Sequence, residues 1–147
     1  MIELSGAYGF DAPRQQVWDL LNDPDVLASC LPGCDRLEPL GDDRYRAELT
    51  VSVAAISGHY TATVAMRDKQ PPESFRLVID GTGRAGFMKG NALVQLADAD
   101  SATLVSVSGQ SEVGGLVARV GQRLLGSVSK MMLDRFFAAL QARASGH

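Results

Sequence analysis

The sequence has no apolar run that approaches the roughly 20 residues needed to cross a bilayer. Its N-terminus, Met1-Ile2-Glu3-Leu4, lacks the basic region followed by an apolar stretch that marks a secretory signal. Basic residues are not in excess either, since the formal net charge is -3 and the pI is about 5.3. Such a chain has no field that attracts phosphate backbones, so we expect no nucleic-acid partner. We expect a soluble, cytoplasmic protein whose membrane contact, if any, is a local surface patch.

Cysteine and histidine are also scarce. The two cysteines, Cys30 and Cys34, are too few for a disulfide framework, and no second pair of Cys or His residues lies nearby to complete a zinc site. We therefore predict ordinary reduced thiols and no bound metal. The 147 residues match the size of one ordinary domain, which is enough for one sizeable core or for a core with a hollow.

From Arg44 to Val113 the chain alternates apolar and polar residues in segments that Gly, Pro and Asp clusters separate. This pattern is typical of an antiparallel meander with one buried face. The predicted buried positions are Tyr45, Ala47, Leu49, Val51 and Val53, then Tyr60, Ala62, Val64 and Met66, then Phe75, Leu77 and Ile79, then Met88, Ala92, Val94 and Leu96, and finally Val105, Val107 and Val113. Further strands at Ile2 to Phe10 and at Cys34 to Leu40 bring the expected number to about seven, and Pro39 favours an edge position for the second of these.

Helices are predicted outside the meander. Ala12-Pro13 opens a short helix, and Asn22-Asp23-Pro24 separates it from a second short turn of helix at Val26 to Leu31. After Gly114-Gly115 the apolar period changes from two to about four, which predicts one long amphipathic helix. Its stripe is formed by Val117, Val120, Leu124, Val128, Met132, Phe136 and Leu140. We predict an α+β domain in which a curved antiparallel sheet wraps its apolar face around this helix.

The loops of a meander alternate between the two ends of the sheet, and here the two ends differ in composition. One end collects loops that combine glycine with apolar side chains, at 31–33, 55–58, 81–87 and 113–116. The other end collects polar loops, at 41–43, 70–73 and 98–100. Because glycine permits backbone excursions and apolar residues are poorly placed in water, we predict that the first end is the entrance to a hydrophobic cavity. Turn geometry alone would also explain each glycine.

The predicted long helix carries small residues in its first half and bulky residues in its second half. The small residues are Ala118, Gly121, Gly126, Ser127 and Ser129. Glycine within a helix costs about 1 kcal/mol relative to alanine, so these glycines require a reason in packing or in cavity shape. Space for a ligand and close contact between helix and sheet both remain as explanations.

An apolar small molecule is the ligand that this interior would hold. The inward register contains almost only apolar residues and tyrosine, so it offers little acid or base for catalysis. The residues expected to contact the ligand are Leu31, Val53, Ile56, His59, Tyr60, Phe75, Arg84, Phe87, Met88, Leu124, Val128 and Met131. Arg84 and Tyr60 are the candidate polar partners of a ligand headgroup, and His59 is interpreted as a loop histidine at the entrance. Surface exposure of Arg84 and core packing of Tyr60 remain as alternatives.

One segment matches the sequence pattern of a nucleotide-binding motif but not the structural context that the motif requires. Gly81 to Gly86 satisfies the G-x-G-x-x-G pattern after a predicted strand. In the dinucleotide motif the third glycine opens a helix whose N-terminus binds the pyrophosphate, whereas Phe87 to Leu96 alternates like a strand. We therefore predict no nucleotide cofactor.

Three basic residues, Arg119, Arg123 and Lys130, share one face of the predicted last helix. Such a face is suited to anionic lipid or to an acidic partner. A solvated helix face is the alternative interpretation.

Short motifs spread over nearly the whole chain resemble one family. They are Asp11-Ala12-Pro13 with Val17-Trp18, Leu21 to Leu27, Leu31-Pro32-Gly33-Cys34, Gly41 to Tyr45, Pro71-Pro72-Glu73, Ala85 to Gly90 and Val113-Gly114-Gly115. Together they are similar to the carbon monoxide dehydrogenase G-subunit family of the START-like, or SRPBCC, superfamily. The Leu-Pro-Gly-Cys and Gly-Phe-x-Lys-Gly elements are fairly specific to that family, whereas the β-α-α-β order marks only the superfamily.

The resemblance implies a single START-like ligand-binding domain over residues 1–147, with a helix-grip fold and an internal hydrophobic cavity. It implies a non-enzymatic accessory protein of a carbon monoxide dehydrogenase-type molybdenum hydroxylase. Such a protein binds an apolar molecule or lipid, with a quinone as one candidate, and aids membrane recruitment or electron transfer. Some relatives extend past the last helix with a tail suited to membrane attachment, whereas this chain ends at Gly146-His147. We therefore expect only peripheral contact, at the inner face of the cell membrane.

Two other functions fit the same superfamily. START-like domains include cyclases and aromatases, in which polar groups inside the cavity direct a reactive hydrophobic substrate. A cluster of His, Asp, Arg or Tyr residues inside the cavity would favour such an enzyme, and this sequence offers little beyond Tyr60. A structural assembly subunit with a filled core is the third possibility, and the volume of the cavity distinguishes it from the carrier.

Overall fold

The protein alternates strands and helices in the order that the sequence predicts. The structure, a computed structural model, describes residues 2–52 and 56–144. The elements are β1 (Ile2–Phe10), α1 (Arg14–Leu21), α2 (Pro24–Cys30), β2 (Cys34–Gly41), β3 (Arg44–Val51), β4 (Gly58–Gln70), β5 (Ser74–Gly83), β6 (Gly86–Ala99), β7 (Ala102–Gly114), a 3-10 helix (Gly115–Val120) and α3 (Gln122–Ala144). The predicted α+β class is confirmed.

Within the described residues, seven strands form one antiparallel sheet in the order β1-β7-β6-β5-β4-β3-β2. β2 lies at an edge, where the missing N–H of Pro39 costs no internal ladder bond, as predicted. α3 contacts β1 and the two short helices, and it lies over the inner face of the sheet. The chain therefore surrounds one interior space with the sheet on one side and α3 on the other.

The two short helices begin where proline and aspartate favour a helix start. Pro13 precedes α1 with φ -63 and ψ 152. Before α2, the Asp23 carboxylate accepts the N–H of Asp25 at 3.0 Å, and Pro24 takes the first helical position, where its missing N–H costs nothing. Among the helices of residues 2–52 and 56–144, none combines the length and apolar character that a membrane span requires.

The polar-loop end of the interior is filled by aromatic side chains. Trp18 meets Phe75 edge-on with ring centroids 5.5 Å apart, and Phe137 of α3 stacks on Tyr8 at 4.3 Å. Leu140, fully buried, belongs to the same cluster. Aromatic pairs of this kind add about 0.5–1.5 kcal/mol beyond the burial of their area. The second half of α3 is thus fixed on a packed core.

The sequence pattern predicts one continuous last helix from Val117, but the structure has a break in this segment. A 3-10 helix ends at Val120, Gly121 follows with φ 92, and only then does α3 begin. Beyond the break the predicted stripe holds for Val128 and Leu140, which are buried, and for Met132 and Phe136, which pack against the buried clusters. Leu124 departs from it: Leu125 is buried and Leu124 is 37% exposed, because positions exactly four residues apart drift around a helix of 3.6 residues per turn.

The strand register confirms the predicted division between the two ends. The turns at 41–44, 70–74 and 99–102 lie at one end. The turn at 83–86 and the paired strand ends Val51 and Gly58 lie at the other. At the polar end, Asp42, Asp43 and Asp100 adopt positive φ, which aspartate tolerates better than most residues. The opposite end, called the mouth end below, carries the glycine-rich loops.

Candidate ligand cavity

A cavity of about 430 Å³ lies between the inner face of the sheet and α3. This volume falls within the range of small-molecule sites, about 300–1,000 Å³. The cavity extends from Leu31 and Phe87 at the mouth end to Phe75 and Phe137 beside the packed core. The interior is therefore not filled, and the assembly subunit with a filled core does not fit this structure.

Small residues on the sheet create the depth of the cavity. Ala62, Gly81, Ala92 and Gly109 occupy inward positions on four adjacent strands, where Ala62 pairs with Gly81 and Ala92 with Gly109. Gly90, on the same face of β6, lies between Met88 and Ala92 in the alternation. These five residues, called the floor below, leave space where longer side chains would otherwise meet α3.

The floor glycines differ in what an added side chain would meet. A Cβ at Gly81 would lie 3.7 Å from the Ala62 Cβ and 3.8 Å from the Thr61 carbonyl oxygen, which are ordinary contacts. A Cβ at Gly109 would collide with the carbonyl oxygen of Asn91. Gly109 is thus required by close backbone approach, whereas Gly81 keeps space that a side chain would fill.

The sequence analysis missed these glycines because it recorded only the apolar side chains of the inward register. The signal was present, since Met88, Gly90 and Ala92 follow the period of two, and so do Ile79 and Gly81. A glycine at an inward position in mid-strand weakens the strand and leaves a gap beneath any element that covers it. Such glycines therefore indicate the deepest part of a cavity.

On the helix side, the cavity is lined by residues that share one side of α3. They are Leu125, Val128, Ser129, Met132, Leu133, Phe136 and Phe137. Gly126 lies between them in sequence but outside the lining, and a Cβ added there meets nothing within 4 Å. Close contact between helix and sheet therefore does not explain Gly126.

The cavity lining carries no formal charge among the described residues. Its titratable side chains in that part of the chain are the phenols of Tyr45 and Tyr60. The Tyr60 hydroxyl donates to the Ile56 carbonyl oxygen at 2.6 Å, and burial raises its pKa. Burial also raises the pKa of Tyr45, with nearby Asp43 adding to the effect. Both phenols are therefore neutral at physiological pH and can accept a hydrogen bond from a ligand.

Seven of the twelve predicted contact residues lie in the cavity lining, as far as the structure describes the chain. They are Leu31, Ile56, Tyr60, Phe75, Phe87, Met88 and Val128. Val53 lies outside the described residues. The structure places His59, Arg84, Leu124 and Met131 outside the lining.

Strand alternation and helix phase explain these four positions. His59 is exposed next to inward-facing Tyr60, and its Nδ1 lies 3.1 Å from the Thr50 hydroxyl, which donates to Asp35 at 2.5 Å. Arg84 is exposed in the turn between β5 and β6. Leu125 lines the cavity in place of Leu124, because positions exactly four residues apart drift around a helix of 3.6 residues per turn. Met131 lies beside Met132, which the predicted stripe already placed on the inner face.

The three basic residues do not form one continuous face. Arg119 belongs to the 3-10 helix, and Gly121 separates it from Arg123 in the first turn of α3. Lys130 donates to Asp134 at 2.8 Å and to the Tyr8 hydroxyl at 3.1 Å, which ties α3 to β1. The hydrogen bond from Lys130 lowers the pKa of the Asp134 carboxyl. Lys130 is thus engaged within the fold.

At the mouth, the turn between β5 and β6 contacts the end of β7. A Cβ at Gly86 would collide with the Gly114 carbonyl oxygen, so only glycine permits this approach. The Val117 N–H donates to the Ala85 carbonyl oxygen at 2.5 Å. Phe87 and Leu116 remain 43% and 58% exposed beside this contact. The mouth thus combines a tight backbone contact with exposed apolar side chains.

The two cysteines do not form a disulfide, and Cys30 is buried whereas Cys34 is half-buried. Burial raises the pKa of the Cys34 thiol. Residues 2–52 and 56–144 contain no group of three or more His, Cys, Asp or Glu side chains that could hold a metal ion. The cavity is therefore the candidate site that this part of the chain supports.

In this fold an antiparallel sheet curves around a long C-terminal helix, and an apolar cavity lies between the two. This arrangement defines the START-like, or helix-grip, class of proteins. A START superfamily protein from Mycobacterium smegmatis has this fold, with a TM-score of 0.76, 12% sequence identity and coverage of 98% of this chain and 97% of that chain. The sequence of residues 6–145 matches the carbon monoxide dehydrogenase G-subunit (CoxG) family. The chain therefore belongs to that family.

Other solved structures share the fold over almost the full length. A conserved protein from Geobacillus kaustophilus is 34% identical, with a TM-score of 0.95 and coverage of 99% of this chain and 96% of that chain. Protein CV1439 from Chromobacterium violaceum is 16% identical, with a TM-score of 0.73 and coverage of 97% and 96%. No curated protein matches the sequence.

Proposed function

We propose that this protein is a non-enzymatic carrier that binds an uncharged, apolar small molecule or lipid in its cavity. The observation that carries the proposal is the lining, which surrounds about 430 Å³ with mostly apolar groups and, in the described residues, no charged side chain. Burial of an unpaired charge costs several kcal/mol or more, so such a lining selects against ionised ligands. An elongated isoprenoid such as a quinone suits a cavity that extends from the mouth to the packed core.

The chemistry of the lining supports a carrier over a cyclase or aromatase. General acid-base catalysis needs a group whose pKa lies near the operating pH. The phenols of Tyr45 and Tyr60 are displaced upward from an already high pKa by burial. His59, the histidine that sequence analysis placed at the entrance, lies on the outer face of the sheet. No observation of the cavity favours the enzyme.

The bound molecule can be identified by extraction of the purified protein with organic solvent and analysis of the extract by mass spectrometry. We expect a reproducible isoprenoid or other apolar lipid in the extract. A Gly81→Leu variant, purified in the same way, is the matched control, because its cavity is obstructed. Repeatedly empty extracts from the unaltered protein, or equal amounts of the same lipid from both proteins, would contradict the proposal.

Family membership supports a partner enzyme for this protein as well as a ligand. Membership in the CoxG family implies association with a carbon monoxide dehydrogenase. We propose that the chain brings a molybdenum hydroxylase of this type to the membrane, or passes electrons from it, through the molecule in the cavity. Exposed Phe87 and Leu116, together with exposed Arg119 and Arg123, are suited to the surface of an anionic bilayer.

Vesicle flotation tests whether this protein recruits a molybdenum hydroxylase to a lipid membrane. We expect a molybdenum hydroxylase to float with vesicles of phosphatidylglycerol and phosphatidylcholine only when this protein is added. A Leu116→Ser change should weaken vesicle binding by about fivefold, because it removes roughly 1 kcal/mol of apolar burial. Val78→Ser is the control, since Val78 is similarly exposed, at 45%, but lies on the outer face of the sheet. Equal weakening by both changes, or flotation of the enzyme without this protein, would contradict the proposal.

A further inference from the structure

A short segment at the mouth is bounded by two glycines with positive φ. This segment, the 3-10 helix Gly115–Val120, connects β7 to α3 and is called the lid below. Gly115 has φ 79. Gly121, directly after the lid, has φ 92 and ψ 152, a backbone region that essentially only glycine occupies. Rotation at these two glycines would move the lid without change to β7 or α3.

One side chain of the lid faces the cavity. Val117 is 8% exposed, lines the cavity and packs in a small cluster at the mouth end. The other members of this cluster are Ile2, Ile56, Leu125 and Val128. The Val117 N–H donates to the Ala85 carbonyl oxygen, whereas Leu116 points its side chain to solvent and is 58% exposed. A few apolar contacts and this backbone bond hold the lid in place.

The polar contacts of α3 lie in its second half, away from the lid. Within the described residues, no side-chain hydrogen bond or ion pair joins 115–129 to another part of the fold. The contacts that fix the helix are Lys130 with Tyr8, Gln141 with the Gly9 carbonyl oxygen, Arg143 with Ser29 and the Ala144 carbonyl oxygen with Gln16. The lid can therefore move while the second half of α3 stays on the packed core.

We infer that the lid opens and closes the cavity by rotation about Gly115 and Gly121, with Val117 as the plug. In the closed state Val117 shields the apolar lining from water. In the open state its bond to Ala85 is broken and an apolar molecule enters or leaves through the mouth. This inference rests on the proposed carrier function, because it assigns the step that controls exchange of the carried molecule.

Two glycine-to-alanine changes separate lid opening from general stability. Neither new Cβ meets an atom within 4 Å, but Gly121 has a positive φ and Gly126 lies within α3. Alanine at Gly121 strains the closed lid, so we expect about tenfold more opening. Alanine at Gly126 favours the helix and should make global unfolding about fivefold rarer, without change to the lid. The purified full-length chain and both variants are compared.

Hydrogen exchange and ligand release provide two measurements. The Val117 amide should exchange about tenfold faster in Gly121→Ala and at the parent rate in Gly126→Ala. The Met66 amide, bonded to the Asp43 carbonyl oxygen at the polar end, reports global unfolding and should slow about fivefold in Gly126→Ala. Release of N-phenyl-1-naphthylamine, an uncharged fluorescent probe, should accelerate about tenfold in Gly121→Ala alone.

The outcomes distinguish the lid from the carrier function. If the exchange rates of the Val117 and Met66 amides change by the same factor across all three proteins, the lid opens only on global unfolding and the inference is wrong. If the probe binds but leaves all three proteins at one rate, the lid does not control exchange and the inference is equally wrong. If the probe does not bind any of them, that result counts against the proposed carrier, and the exchange of Val117 still decides whether the lid opens.

Discussion

Replacement of Gly81 by leucine should lower the affinity for an apolar ligand at least tenfold and leave the protein folded. Gly81 is buried on the floor of the cavity, and its φ is not among the positive values. A new Cβ there meets Ala62, Thr61 and Met88 at ordinary distances of 3.7 to 3.9 Å. The rest of the leucine side chain must extend into space that a ligand would occupy, and overlap of this kind costs about 1–3 kcal/mol.

Stability should not fall in this variant. Glycine inside a strand is unfavourable by roughly 0.5–1 kcal/mol relative to alanine. The leucine side chain also packs against the apolar lining of the cavity, and this burial stabilises the folded protein. Urea unfolding followed by circular dichroism should therefore give a free energy of unfolding equal to or above that of the parent. Ligand affinity is measured by fluorescence titration with N-phenyl-1-naphthylamine.

Thr82→Leu is the matched control for this experiment. Thr82 is the next residue of β5, is exposed and faces the outer side of the sheet, so it receives the same side chain without access to the cavity. Affinity for the probe should stay at the parent value. If Gly81→Leu and Thr82→Leu bind the probe equally well, the ligand does not occupy the cavity over the floor.

The packed interior consists of two clusters with the cavity between them. One contains Trp18, Phe75, Phe137 and Leu140 at the polar end, and the other is the small cluster around Val117 at the mouth end. Since hydrophobic stabilisation is roughly proportional to the apolar area that is buried, the first cluster supplies most of it. The mouth can therefore be loosely packed, as a carrier requires, without loss of the fold.

Local patterns were sufficient to predict the sheet and its two ends. The period of two in β3 to β7, the turn residues and Pro39 each act over a few residues, so they can be read without knowledge of the tertiary structure. The break at Gly121 could not be predicted in this way, because a glycine between two apolar stretches fits a continuous helix as well as a turn. The positive φ of Gly121 and the bond between the lid and Ala85 involve residues that are far apart in sequence, which local patterns do not connect.

The candidate site was predicted less completely than the fold. Alternation placed Tyr60 and Phe75 inside, but His59 at a strand end and Arg84 in a turn were assigned by proximity to the mouth rather than by direction. Direction at a strand end depends on register with the neighbouring strand, here Thr50 opposite His59. The floor glycines follow the alternation of their own strands, but only apolar side chains were counted as inward positions, and so these glycines were missed.

Replacement of Gly33 by alanine should destabilise the protein far more than the same change at Gly41. Both glycines have left-handed backbones, with φ 72 and φ 87, so both variants incur a similar conformational cost of about 1–2 kcal/mol. A Cβ at Gly41 meets nothing within 4 Å, whereas one at Gly33 would collide with the Thr50 carbonyl oxygen. The Thr50 N–H also donates to the Gly33 carbonyl oxygen at 2.8 Å.

The Gly33 variant must therefore separate the Leu31-Pro32-Gly33 loop from the end of β3 and lose that hydrogen bond. A bond of this kind contributes about 0.5–1.5 kcal/mol, and the steric overlap adds about 1–3 kcal/mol. We expect Gly33→Ala to lower the free energy of unfolding by about 1.5–4.5 kcal/mol more than Gly41→Ala, because both contributions act only at Gly33. Urea unfolding of the two variants measures it directly. Since Leu31 and Pro32 line the cavity, probe affinity should fall with Gly33→Ala only. Equal free energies of unfolding for the two variants would show that the loop does not approach β3 this closely.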